Sequence, residues 1–77
     1  MIQLRLFAYL PDLCKSKQRR VEVPHREGMT VRDLLESEGL AGEDLVVMVN
    51  EKHVSADSAL EDGDSVFFLP AIAGGRQ

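Results

Sequence analysis

Thr30 to Leu40 is the segment that most narrows the folds open to this chain. Thr30-Val31-Arg32-Asp33 fits a capping box, with a hydroxyl at the helix N-cap and an acid three residues on. Val31, Leu34 and Leu35 recur at i, i+3 and i+4, which lines one side of a helix with apolar groups. Gly39 predicts a left-handed C-terminal cap, with Leu40 folding back onto the helix. The expectation is one helix of about ten residues. Its single apolar stripe needs another layer to cover it.

The remaining segments supply strands. Ile2, Leu4, Leu6 and Ala8 alternate with Gln3, Arg5 and Phe7, a period of two. Ile2, Leu4 and Leu6 should face the core, leaving Phe7 on the opposite side with Gln3 and Arg5. Leu10-Pro11-Asp12-Leu13 reads as a short helical turn, Pro suiting a first helical position. Leu10, Leu13 and Cys14 should tuck beneath it. Lys15 to Gln18 reads as a loop. Arg20 to Val23 alternates again and predicts a second strand, ended by Pro24 and antiparallel to the first. His25 to Met29 is a connection turning at Gly28. Leu45 to Val49 is a β-branched strand, Asn50 to His53 a turn, and Val54 the start of a short return strand. Asp57 to Leu60 reads as a turn of helix, and Glu61-Asp62-Gly63-Asp64 as a tight turn with positive φ at Gly63. Val66 to Leu69 is apolar on both faces, which suits a central strand. Pro70 lacks an N–H and should stop it.

The economical assembly of these elements is α+β, a mixed sheet of four to five strands packed on one main helix. If the last strand pairs parallel to the first, the arrangement is the β-grasp, or ubiquitin-like, fold. Residues 1–69 would form the domain and 70–77 a flexible C-terminal arm.

Composition removes other classes. Cys14 is the only cysteine, so no intrachain disulfide exists, and no Cys/His spacing resembles a zinc site. A lone thiol fits a reducing, cytoplasmic setting. No apolar run reaches the ~20 residues that span a bilayer, and the N-terminus lacks the basic start of a signal peptide. A formal net charge of −4 argues against a nucleic-acid partner. The one basic cluster, Lys15, Lys17, Arg19 and Arg20, is brief and has no interleaved aromatics; it reads as a solvated loop running into a strand.

Several segments together resemble the MoaD/ThiS family of ubiquitin-like sulfur carriers, closest to its molybdopterin-synthase small-subunit branch. They are Leu6-Phe7-Ala8, Thr30 to Leu35, Val49-Asn50, Leu60 through Pro70, and Ala73-Gly74-Gly75. The last two blocks are the specific ones: an Asp-Gly-Asp turn, an aromatic strand and a Gly-Gly arm, in that order. The resemblance implies a carried substrate rather than an enzyme. A ubiquitin-activating-type adenylyltransferase would use ATP to join the carboxylate of Gly75 to AMP. A sulfur donor would then displace AMP and leave a thiocarboxylate, which a partner such as the molybdopterin synthase large subunit would receive. No cofactor would be bound by the chain itself; ATP belongs to the activating enzyme. Gly74 and Gly75 suit this work because a backbone without Cβ atoms threads a narrow pocket at no steric cost. Adenylation is needed because a carboxylate is a poor electrophile until it carries a leaving group.

The sequence departs from that pattern after Gly75, where Arg76-Gln77 follow. Gly75 then carries an amide, which cannot be adenylated. Three readings stay open: a precursor trimmed after Gly75, by the resemblance with a JAMM-type metalloprotease; a carrier that has lost its chemistry and serves as a ubiquitin-like binding module; or an artificial addition of two residues. Molybdopterin or tungstopterin synthesis is the expected destination, with thiamine, cysteine and tRNA thiolation, or attachment to lysines, as alternatives.

Strand alternation predicts a docking platform for the arm. Val66 and Phe68 should point to the helix, leaving Phe67 and Leu69 outside with Phe7, Val46 and Met48. Phe7, Met48, Phe67 and Leu69, with Ile72 on the arm, form the expected partner interface. His25 and His53 read as solvated, His53 at the rim of that face. Cys14 reads as a small half-buried apolar residue, Glu36 and Glu38 as a solvated helix end, and Asp62 and Asp64 as turn residues.

Overall fold

The computed structural model describes residues 1–71. In chain order its elements are β1 (Ile2–Leu6), α1 (Leu10–Leu13), β2 (Arg20–Val23), α2 (Val31–Ser37), β3 (Leu45–Val49), β4 (Lys52–His53) and β5 (Ser65–Pro70). The five strands form one mixed sheet in the order β2-β1-β5-β3-β4. β1 runs antiparallel to β2 and parallel to β5, while β3 is antiparallel to both β5 and β4. This is the β-grasp architecture expected from the sequence, with β5 at its centre.

Alternation divides the sheet into two faces. Ile2, Leu4 and Leu6 on β1, Val66 and Phe68 on β5, and Val47 and Val49 on β3 point inward and are buried. The register sets Leu4 beside Val66 and Leu6 beside Phe68, with Val47 across from Phe68 on the other side. Val31, Leu34 and Leu35 of α2 belong to this same core. Leu10 and Cys14 complete it at the α1 end, Cys14 being fully rather than half buried.

Both ends of α2 are capped. Asp33 Oδ2 accepts the Thr30 N–H at 2.9 Å, the acid half of the capping box. Val31 and Arg32 N–H donate to the carbonyls of Ser58 and Ala56 at 3.0 and 2.8 Å, and Asp33 N–H to that of Thr30 at 3.1 Å. Residues 56–58 therefore serve orphan donors of the first turn. That use of their carbonyls explains why Asp57 to Leu60 is not the expected turn of helix; Ala59 instead bridges Thr30. At the other end Leu40 N–H reaches Leu35 O at 2.8 Å and Gly39 N–H reaches Glu36 O at 3.1 Å, with Gly39 at φ +74. This is a Schellman motif. The helix proper has 7 residues rather than about ten, because the two caps lie outside it.

Several local expectations are corrected. β1 ends at Leu6, and Ala8 turns out to solvent at φ 56. Leu13 is exposed: α1 has a single turn, and Leu10 and Cys14 take its inward side. Asn50 and Glu51 both adopt positive φ, a two-residue hairpin, so the return strand begins at Lys52 and not at Val54. Glu38 is buried rather than solvated, its Oε1 accepting the Ser16 N–H at 3.1 Å and its carbonyl the Lys15 N–H at 3.0 Å. His25 is half-buried, with Nε2 2.9 Å from the Leu60 carbonyl. β5 continues through Pro70. The missing N–H of Pro70 points to the side of β5 where its pairing with β1 has already stopped at Leu6–Phe68, so no ladder bond is lost.

Asn50 and Asp64 join the far ends of β3 and β5. Asn50 Oδ1 accepts the Ser65 N–H at 3.1 Å and its Nδ2 donates to Asp64 Oδ1 at 2.9 Å. Asp64 Oδ2 accepts the Glu61 N–H at 2.8 Å, and the Asp64 carbonyl takes Gln3 N–H at 2.9 Å. These bonds account for Asp64. Among the described residues no group of three His, Cys, Asp or Glu side chains converges as a metal site, and no helix is long and apolar enough to cross a membrane.

Phe68→Ala should cost about 3–5 kcal/mol of stability in denaturant unfolding, whereas Phe67→Ala, on the outer face, should cost only about 1–2 kcal/mol. Equal losses would contradict the register. Asn50→Ala and Asn50→Gly should each lose about 1–3 kcal/mol through the side-chain bonds. A glycine variant as stable as the parent would mean that backbone φ alone matters there.

Candidate partner-docking face

The outer face of the sheet carries the side chains that alternation turns away from α2. Across it from β2 to β4 lie Arg20 and Glu22, then Gln3 and Arg5, then Phe67 and Leu69, then Val46 and Met48, and finally His53. Met48 stands opposite Phe67 and Val46 opposite Leu69 in the antiparallel ladder. Arg5 stands beside Phe67 in the parallel one. Phe7 follows Arg5 just past β1, where its N–H donates to the Phe68 carbonyl at 3.2 Å. Its ring packs against Phe67 with centroids 5.3 Å apart and planes tilted by 54°, an arrangement favourable to the ring quadrupoles.

The structure thus brings Phe7, Met48, Phe67 and Leu69 together on one face. They are half-buried rather than fully exposed. Arg5 is one reason: its guanidinium carbon lies 5.6 Å from the centroids of both the Phe7 and Phe67 rings. That stacking is worth about 0.5–1 kcal/mol at an exposed site and shelters part of the aromatic surface. Sequence reasoning put Arg5 on the correct face but gave it no role. The signal was present, since Arg5 and Phe7 are two apart on one strand, yet the second ring comes from β5 and needs the register.

The face adjoins the place where the chain leaves the sheet. Ala71 N–H donates to the Asp44 carbonyl at 3.1 Å, which holds the chain against the start of β3 just beyond Leu69. Because β1 and β5 are parallel, the exit lies at the same end as Phe7 and α1, where Tyr9 and Leu13 are exposed. Ile72, Gly74 and Gly75 lie outside the described residues. His53 is on β4, paired with Met48, and so belongs to the edge of this face rather than to a connection. Asp62 is at the opposite end, where it accepts from the Met1 amino group; that hydrogen bond, and then the amino group's charge, hold its carboxyl below the usual range.

The model of the ThiS family matches residues 4–75. Among solved structures, a Pyrococcus furiosus protein described as a molybdopterin converting factor, subunit 1, is 27% identical with a TM-score of 0.75, over 92% of this chain and 97% of that one. SAMP1 from Haloferax volcanii is 24% identical with a TM-score of 0.73, over 96% of this chain and 98% of that one, a likeness of fold. With the mixed β-grasp sheet and a family match spanning nearly all of its length, the chain belongs to the ThiS family of ubiquitin-fold sulfur carriers.

Proposed function

We propose that this protein carries sulfur as a thiocarboxylate on Gly75, after removal of Arg76-Gln77, and delivers it in molybdopterin or tungstopterin synthesis. The observation that carries the reading is the position of the docking face. β5 supplies its central side chains, Phe67 and Leu69, and the same strand leads directly into the Gly-Gly arm. A partner seated on Phe7, Met48, Phe67 and Leu69 would have the arm within reach of its active site. Extended backbone spans at most ~3.3–3.6 Å per residue, so the short run from Ala71 to Gly75 reaches a pocket near the edge of such a contact.

The partner surface fits the physical pattern of a protein interface, with aromatic and methionine side chains grouped on a sheet face. The likeness to the Pyrococcus furiosus protein supports the molybdopterin destination. In this reading the Gly75 carboxylate attacks the α-phosphorus of ATP held by a ubiquitin-activating-type enzyme, and pyrophosphate leaves. A sulfur donor then displaces AMP from the acyl carbon, either as hydrosulfide, which gives the thiocarboxylate directly, or as a persulfide, whose S–S bond a thiol must then cleave by reduction to free the donor. The charged thiocarboxylate end next enters a synthase large subunit. The chain acts as substrate in each step and contributes no acid, base or nucleophile beyond its own terminus. Trimming before Arg76 falls to a protease, for which a JAMM-type metalloprotease is the expected class.

Intact mass spectrometry of the untagged protein from its own cells tests the chemistry. A species shortened by Arg76-Gln77, and one with sulfur replacing a terminal oxygen, are expected during cofactor synthesis. If every molecule keeps Gln77 under conditions that demand the cofactor, the carrier reading fails and a ubiquitin-like interaction module remains. Phe7→Asp, assayed in the trimmed form, should weaken binding to the activating enzyme by about tenfold or more, as loss of an interface aromatic does, while the folded spectrum by circular dichroism is kept. Unimpaired binding would remove Phe7 from the interface.

A further inference from the structure

Arg5 and Arg20 stand directly opposite each other on β1 and β2, and both are exposed on the docking face. Like charges in that position repel, so the pair weakens the free sheet. Its placement is not forced by a general excess of cations, since 13 acidic residues outnumber 9 lysines and arginines in the chain. Neither arginine is neutralised among the described residues, where the ion pairs are Met1–Asp62 and Arg32–Asp57. Glu22 shares the face, but it stands opposite Gln3 and accepts that residue's amide at 3.0 Å.

We infer that Arg5 and Arg20 together receive a carboxylate from the protein that covers Phe7 and Phe67. The inference rests on the reading of this face as the docking surface and adds the chemistry of what docks. Stacking against two rings orients the Arg5 guanidinium before any partner arrives. A guanidinium stacked on aromatic rings still has donors at its edge, and Arg20 brings a second set alongside. One carboxylate, with two oxygens and about four acceptor sites, can take hydrogen bonds from both. Its arrival relieves the repulsion between the arginines. An apolar surface closing over Phe7 and Phe67 would exclude water beside the new ion pairs and strengthen them. The matching partner surface therefore carries an Asp or Glu side chain next to an apolar residue.

The test uses the chain trimmed after Gly75, as for Phe7→Asp, and the purified ubiquitin-activating-type enzyme of the same organism, with binding measured by titration calorimetry at low and high salt. Arg5→Gln and Arg20→Gln should each weaken binding by about tenfold. The double variant should lose less than the product of the two, because both donors serve one group. Its affinity should also depend less on salt than that of the parent. Arg20→Gln should unfold at the same temperature as the parent or higher, since the repulsion is gone. A double variant that binds like the parent, when Phe7→Asp does not bind, overturns the carboxylate clamp and leaves the docking face standing. If Phe7→Asp binds normally as well, the docking reading fails and the clamp with it. A lowered unfolding temperature for Arg20→Gln would assign that residue to the fold and also overturn the clamp.

Discussion

Parallel strands cannot be joined by a tight turn, and the pairing of β1 with β5 therefore sends the intervening chain across one face of the sheet. That crossover carries α2, whose apolar stripe covers Ile2, Leu4, Val66 and Phe68. Among the described residues the opposite face receives no helix. Its composition is thus free to serve an external surface, provided the exposed apolar groups remain manageable in water. The same pairing puts the C-terminal end of β5 next to Phe7. Core, open face and chain exit all follow from one ladder of hydrogen bonds.

On the open face, side chains rather than backbone decide how the apolar groups meet water. The adjacent pair Phe67 and Phe68 shows this most clearly: one pleat separates a fully buried ring from one that meets solvent. Phe67 is partly sheltered by Phe7 and by the Arg5 guanidinium. A covering made of a charged side chain can be exchanged for a partner's surface without unfolding anything. The buried face has no such exchangeable cover, because its contacts come from α1, from α2 and from the loop that caps α2. The two faces thus differ in how readily their cover can be replaced.

Elements whose signals are local were legible in the sequence. The start and stop of α2 could be read because Thr30, Asp33 and Gly39 act within one or two turns of themselves, and the central position of β5 because apolar residues occupy both of its faces. Where the sequence reading failed, a distant partner decided the outcome. Glu38 looks like the tail of a solvated helix until the Ser16 amide is brought against it. His25 looks solvated until the Leu60 carbonyl arrives from 35 residues away. The segment Asp57 to Leu60 has the composition of a helical turn, yet its neighbourhood is spent on the orphan donors of α2. For the site, alternation sufficed to collect Phe7, Met48, Phe67 and Leu69 on one side. The stacking of Arg5 on two rings required knowing that residue 5 lies beside residue 67.

Pro70 has a further effect, on self-association. Beyond Phe68, β1 no longer pairs with β5, and α1 lies against the end of the strand instead. A strand end without a strand partner invites one from another molecule. Pro70 has no N–H to offer on that side, so a strand that displaced α1 would lose a ladder bond there. The residue that ends the central strand thereby makes this part of β5 a poor template for a second copy of the protein.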